Sequence, residues 1–154
     1  MAPNDDILGF FQEFAFLSNF FEAPLVYKGI NWPTSEHAYQ AMKVDGQDVW
    51  VEFAALETPG EAKRLGRKVP VRFNWEHLKD DFMYQIVLAK FEQNEDLKKL
   101  LLATGNRKLV ELNYWGDKYW GMVRDANGNL VGKNKLGEIL MRIRSNLRGE
   151  GLCL

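Results

Sequence analysis

Apolar positions recur along this chain in two rhythms. Between Trp75 and Phe91 the residues Leu78, Phe82, Ile86 and Ala89 return every three or four positions, which predicts a long helix opened by Asn74. Leu136, Ile139, Leu140, Ile143 and Leu147 form a second stripe behind Asn134, read as the cap of the last helix. Shorter helices are predicted from their start signals. Pro33-Thr34-Ser35-Glu36 places Thr34 or Ser35 as N-cap of a helix running to about Val44, before Asp45-Gly46. A further helix spans Asp48–Leu56. Thr58-Pro59-Gly60-Glu61 combines a cap, a first-position proline and a capping-box glutamate for a helix ending near Gly66. Asn94 is read as the cap of a short helix to about Ala103.

Extended structure is predicted for Ile7–Phe11, for Leu25–Tyr27 and Ile30–Trp32 around a Lys28-Gly29 turn, and for Leu109–Leu112. Phe14–Phe21 reads as an aromatic loop. Residues 113–132 lack helical periodicity, and Asn127-Gly128 marks a turn there. The pattern gives a mainly helical α+β domain, with about six helices around a small antiparallel sheet. No linker or repeat divides residues 1–154, so one domain is expected, with a frayed tail over Arg148–Leu154.

Composition narrows the classes. A chain of 154 residues can bury one sizeable core. A net charge of −1 leaves no global electrostatic footprint for nucleic acid, so any such contact must be a local basic patch. The lone cysteine, Cys153, allows no internal disulfide and no zinc spacing. With an acidic start and no apolar signal core or span, a cytoplasmic protein is expected. Nothing points to an obligate protein partner. Aromatic residues reach 13%, and several tryptophans sit in polar turns, where a flat ligand can stack on them.

Four groupings carry candidate chemistry. Glu36, Gln40 and Lys43 share one helical face, beside Trp32 and Tyr39. Such a face is ordinarily a solvated surface. In a cleft it would pair a first-turn carboxylate with an amine. Lys63, Arg64 and Arg67 form either a basic solvent face or a clamp on phosphate. Trp75 either seals its helix start or offers a wall for a base. Tyr114-Trp115-Gly116-Asp117-Lys118-Tyr119-Trp120-Gly121 is a poor helix and a poor strand. Its aromatics can sandwich a base, and Asp117 can bond ribose hydroxyls or assist proton transfer. His37 and His77 lack a metal-ligand spacing and are read as structural. No phosphate-binding glycine fingerprint, serine elbow or metalloprotease helix is present.

Taken in order, these segments resemble the YbiA/NADAR family from about Phe11 to Leu147. The matching stretches include Phe16-Leu17-Ser18-Asn19-Phe20, Trp32 to Lys43, Thr58-Pro59, Ala62 to Arg67, Asn74-Trp75, Lys90-Phe91, Leu100 to Gly105, Asp117, Tyr119-Trp120-Gly121 and Gly132 to Gly137. The resemblance implies an N-glycosidase with neither metal nor organic cofactor. It implies a nucleotide-like substrate: phosphorylated intermediates of riboflavin synthesis, or ADP-ribose attached to guanine in nucleic acid. The family's functional positions fall on Glu36, Trp75, Asp117 and Trp120, and a lysine matching Lys43 is implicated through a Schiff base. Glu36, Lys43 and Asp117 are therefore the expected catalytic set. Ser18, Asn19, Phe20, Arg64, Arg67, Trp75, Tyr119, Trp120, Gly121 and Asn134 are the expected substrate-binding set. The stretch Met122–Val131 departs from the family pattern as a longer excursion, expected to be a hairpin. A catalytically silent binder of nucleotides would use the same aromatic and arginine groups but has no need of Glu36 and Lys43.

Overall fold

A computed structural model describes residues 5–149, so Cys153 and most of the expected tail lie outside the described residues. The chain divides into two units, Asn19–Glu95 and the combination of Met1–Ser18 with Asp96–Leu154.

In the unit Asn19–Glu95, β1 (Leu25–Tyr27) and β2 (Ile30–Trp32) pair antiparallel. The predicted turn joins them, with Lys28 at φ 54° and Gly29 at φ 77°, the paired positive angles that suit a two-residue hairpin. Four helices follow: α1 (Ser35–Ala41), α2 (Gln47–Ala54), α3 (Pro59–Gly66) and α4 (Trp75–Gln93). Thr34 caps α1, accepting from the His37 backbone N–H, and Thr58 forms the full capping box with Glu61. α1 stops three residues short of Val44.

All seven residues of α1 are buried, because α2, α3, α4 and β2 surround it. A solvated face is therefore excluded: Glu36 and Gln40 are core residues, 7% and 5% exposed. His37 is structural, as expected. Its Nε2–H donates to the Leu56 carbonyl (3.0 Å) and its Nδ1 lies 2.8 Å from the Thr34 hydroxyl. Burial lowers its pKa against the Leu56 carbonyl and Glu61, which favour the charged ring.

In the other unit, β3 (Ile7–Leu8) pairs in parallel with β4 (Leu109–Val110). β5 (Val123–Arg124) and β6 (Leu130–Val131) form the expected antiparallel hairpin. The helices are α5 (Glu95–Ala103), which begins at the boundary, and α6 (Lys135–Leu147), which packs on β4. Among the described residues the strands thus make three two-stranded ladders instead of one sheet. Ile7–Phe11 is strand only at its start, since Gly9 turns to φ 90°. The first part of the expected aromatic loop, Phe14–Leu17, belongs to a 3₁₀ helix over Gln12–Leu17, which is too short to leave a periodic signature.

The three asparagines read as helix caps do other work. Asn74 and Asn134 precede their helices in the left-handed conformation, at φ 62° and 54°, with no side-chain cap. Asn94 donates to the carbonyls of Lys90 (2.8 Å) and Pro24 (3.0 Å), closing the end of α4 instead of opening α5. No helix among the described residues is long and apolar enough to cross a membrane.

Candidate functional site

The Glu36 face of α1 is assembled by residues far apart in sequence. The Asn19 carbonyl accepts from the Glu36 backbone N–H (3.1 Å), and Asn19 Oδ1 accepts from the Ser35 hydroxyl (2.8 Å). Asn19 Nδ2 points to Met83 Sδ at 3.4 Å. The expected substrate contact Asn19 is therefore itself buried and used to set the first turn of α1. Gln40 Nε2 donates to Glu36 Oε2 at 2.7 Å. Gln40 Oε1 is buried without a hydrogen-bond partner, against Gly66 of α3.

Lys43 lies just beyond the end of α1, and its Nζ donates to the Gly66 carbonyl at 3.4 Å. Burial lowers its pKa first. Glu36 opposes that shift, and the cations Arg67, Lys63 and Lys79 add to it. An amine so placed holds its proton less firmly than a surface lysine, and the neutral amine is the nucleophile. Glu36 and Lys43 are thus brought together as expected.

Arg64 is exposed on α3 and Arg67 is exposed just past its end, and Arg67 is the one whose charge reaches Lys43. Lys63 Nζ sits 5.9 Å from the ring centroid of Phe20, which is 44% exposed. Sequence reasoning missed Lys79, whose ammonium pairs with Glu76 at 2.6 Å while its side chain is only 14% exposed. One turn from Trp75 on α4, its spacing could have flagged it. Trp75 packs against Tyr39 (centroids 5.4 Å, tilted) and Phe82 (6.0 Å, stacked) and is 7% exposed. Those contacts match the helix-sealing role more closely than an open wall.

The second expected cluster lies in the other unit. Asp117 Oδ1 accepts from the backbone N–H of Tyr119 (3.0 Å) and of Trp120 (2.9 Å), so this carboxylate shapes the turn that presents both rings. The two rings meet edge to face at 4.9 Å, and Lys133 Nζ stands 5.3 Å from the Tyr119 centroid. Asn113, missed in the sequence and 1% exposed, brackets the turn. Its Oδ1 accepts from the Asp117 N–H (2.9 Å) and its Nδ2 donates to the Asp117 carbonyl (2.8 Å).

Gly121 is buried, and a Cβ there would meet the Glu111 carbonyl at 2.1 Å, so the close approach that requires glycine is to the chain's own backbone. Asn134 uses both ends of its amide on β4 and its extension. Oδ1 accepts from the Glu111 N–H (3.0 Å) and Nδ2 donates to the Leu109 carbonyl (2.9 Å). Ser18 closes the 3₁₀ helix, its N–H donating to the Ala15 carbonyl at 2.9 Å.

The chain is similar to known proteins over nearly its whole length. The NADAR domain matches residues 3–148. N-glycosidase YbiA of Escherichia coli is 40% identical over 151 residues, covering 95% of this chain and 91% of that protein. An N-glycosidase of Nostoc punctiforme is 36% identical over 142 residues, covering 89% of this chain and 88% of that protein. A riboflavin biosynthesis protein of Vibrio vulnificus is 36% identical over 139 residues, 89% of this chain but 36% of that longer protein. The solution structure of E. coli YbiA superposes with a TM-score of 0.81 at 39% identity, covering 98% of this chain and 90% of that one. The chain belongs to the NADAR family and, like its relatives from Escherichia coli and Nostoc punctiforme, is an N-glycosidase, a hydrolase of N-glycosyl compounds.

Proposed function

We propose that this enzyme cleaves the bond between a base and C1′ of a phosphorylated ribose, with Glu36 and Lys43 as its catalytic pair. The observation that carries the reading is the buried α1 face, where a Glu36 carboxylate bonded by Gln40 adjoins an amine with a lowered pKa. As the glycosidic bond lengthens, positive charge grows on the sugar, and the Glu36 carboxylate stabilises it. The base leaves with the bonding pair and takes a proton. Lys43 Nζ adds to C1′ of that cation and gives up a proton, and the bond from C1′ to the ring oxygen then breaks, the oxygen taking up a proton, to leave an imine. One water adds to the imine carbon, the Lys43 amine departs and the sugar is freed. Arg67 and the neighbouring Lys63 and Lys79 supply positive charge for the phosphate. Arg64 extends that basic face. In the other unit, taken by itself, the rings of Tyr119 and Trp120 on the turn held by Asp117 are surfaces on which a planar base can stack.

Two substrate classes share this chemistry. The names of relatives from Vibrio vulnificus and maize place them in riboflavin biosynthesis, which favours phosphorylated pyrimidine-type intermediates. ADP-ribose on guanine, free or in nucleic acid, presents the same bond with a pyrophosphate. A chromatographic assay of base release, run on both classes, distinguishes them and separates an enzyme from a silent binder. Borohydride added during turnover should leave a sugar adduct on Lys43, seen by mass spectrometry, and Lys43→Arg should abolish it. Near-parent turnover in Lys43→Arg would overturn the imine route and leave direct attack by water.

A further inference from the structure

Lys43 belongs to no helix. α1 ends at Ala41, and the carbonyls that follow have no further helical turn to satisfy them. Those of Met42, Lys43 and Val44 all accept from Arg72, in the segment between α3 and α4, and that of Val44 also accepts from Trp50 Nε1–H at 2.7 Å. Arg72 Nε donates to the Met42 carbonyl at 2.9 Å, Nη2 donates to the Val44 carbonyl at 3.0 Å, and the Arg72 backbone N–H donates to the Lys43 carbonyl at 2.7 Å. Lys43 is therefore clasped at its own peptide group and at both neighbours.

The clasp is itself braced. The guanidinium carbon lies 5.0 Å from the centroid of Phe82, the ring that stacks on Trp75. Asp45 stands 3.9 Å from Nη2, more distant and 80% exposed against 16% for the arginine side chain. A cation near the carbonyl end of a helix is also favoured by the helix dipole.

We propose that Arg72 is a positioning residue, fixing the Lys43 backbone so that its amine is delivered to C1′ beside Glu36. The proposal rests on the reading of Lys43 as the imine-forming residue. Only arginine suits the task, because its planar fork spans two carbonyls at once, whereas lysine offers a single point of donation. The cations that act on the Lys43 amine are Arg67, Lys63 and Lys79, while Arg72 touches its backbone, so the effect is one of placement.

The test compares Arg72→Lys with the parent and with Gln93→Ala. Gln93→Ala removes two bonds to Val26 of β1 and so loosens the same unit away from Lys43. Ribose 5-phosphate with cyanoborohydride reports imine formation at Lys43 without any glycosidic cleavage, read by peptide mass spectrometry. In Arg72→Lys the Lys43 adduct and kcat should each fall at least tenfold, with KM within about threefold of the parent. Gln93→Ala should keep both even at an equal loss of melting temperature. Adduct yield within twofold of the parent in folded Arg72→Lys, or an equal loss in Gln93→Ala, would overturn the proposal. Failure of the underlying reading shows separately, as turnover retained by Lys43→Arg, while the adduct comparison still decides the role of Arg72.

Discussion

Gly66→Ala tests the packing of α3 against the Glu36 face of α1. Gly66 is the last residue of α3, and an alanine there ordinarily stabilises a helix by up to about 1 kcal/mol. Here a Cβ would lie 1.9 Å from Gln40 Oε1, 2.8 Å from its Cδ and 3.3 Å from its Cβ. The carboxamide can turn away, but Gln40 is buried and its Nε2 holds Glu36 Oε2 at 2.7 Å. Relief of the clash therefore breaks a hydrogen bond to a buried charged group, a loss of about 1.5–3 kcal/mol. Set against the helix gain, the net is a destabilisation of about 1–2 kcal/mol, a fall in Tm of roughly 3–6 °C for a chain of this size. Turnover should fall with it, because Glu36 loses the partner that fixes its carboxylate. The assay is denaturant unfolding of Gly66→Ala in the parent and in a Gln40→Ala background. With the carboxamide gone, the same substitution should become neutral or stabilising. A stabilising Gly66→Ala in the parent, or equal destabilisation in both backgrounds, would refute the reasoning.

Three further outcomes are expected. Glu36→Gln keeps the shape of the side chain and should lower turnover by about 10²–10⁴-fold at unchanged melting behaviour; activity within a few-fold of the parent would remove Glu36 from the mechanism. Arg67→Ala should raise KM and flatten its dependence on ionic strength while largely sparing kcat, and a loss confined to kcat would contradict a phosphate role. Lys90 is fully buried, with its Nζ near the rings of Phe21 (5.9 Å) and Phe91 (5.1 Å), and burial pushes its pKa down to about 7. Between pH 7 and about 10.5 the unfolded chain binds a proton that the folded chain does not, so stability rises with pH there by up to about 1.4 kcal/mol per unit. The penalty is complete below pH 7. Lys90→Met should therefore stabilise most at and below neutrality, and the difference from the parent, measured by chemical unfolding at several pH values, should shrink toward pH 10; a constant difference would refute the assignment.

Much of the local structure was legible in the sequence. Thr34 and Thr58 as caps, the Lys28-Gly29 and Asn127-Gly128 turns, and the apolar stripe of α6 each depend on residues close along the chain. The backbone settles such features by short-range sterics and hydrogen bonds. The common face of Glu36 and Gln40 was equally readable from the pitch of a helix, whereas α1 ends at Ala41, short of Lys43. Asparagine was the unreliable signal: Asn74, Asn94 and Asn134 all stand near helix ends, but the same side chain serves a cap, a left-handed turn or a distant carbonyl equally well.

Tertiary structure alone decided that this α1 face is buried. It set Asn19 against Ser35, Gln40 against Gly66, and Arg72 against Met42 and Val44. Helical periodicity names the residues that share a face, but it cannot say whether water or another helix will cover them. That depends on contacts between segments many residues apart, and these contacts set the environment that lowers the pKa of Lys43.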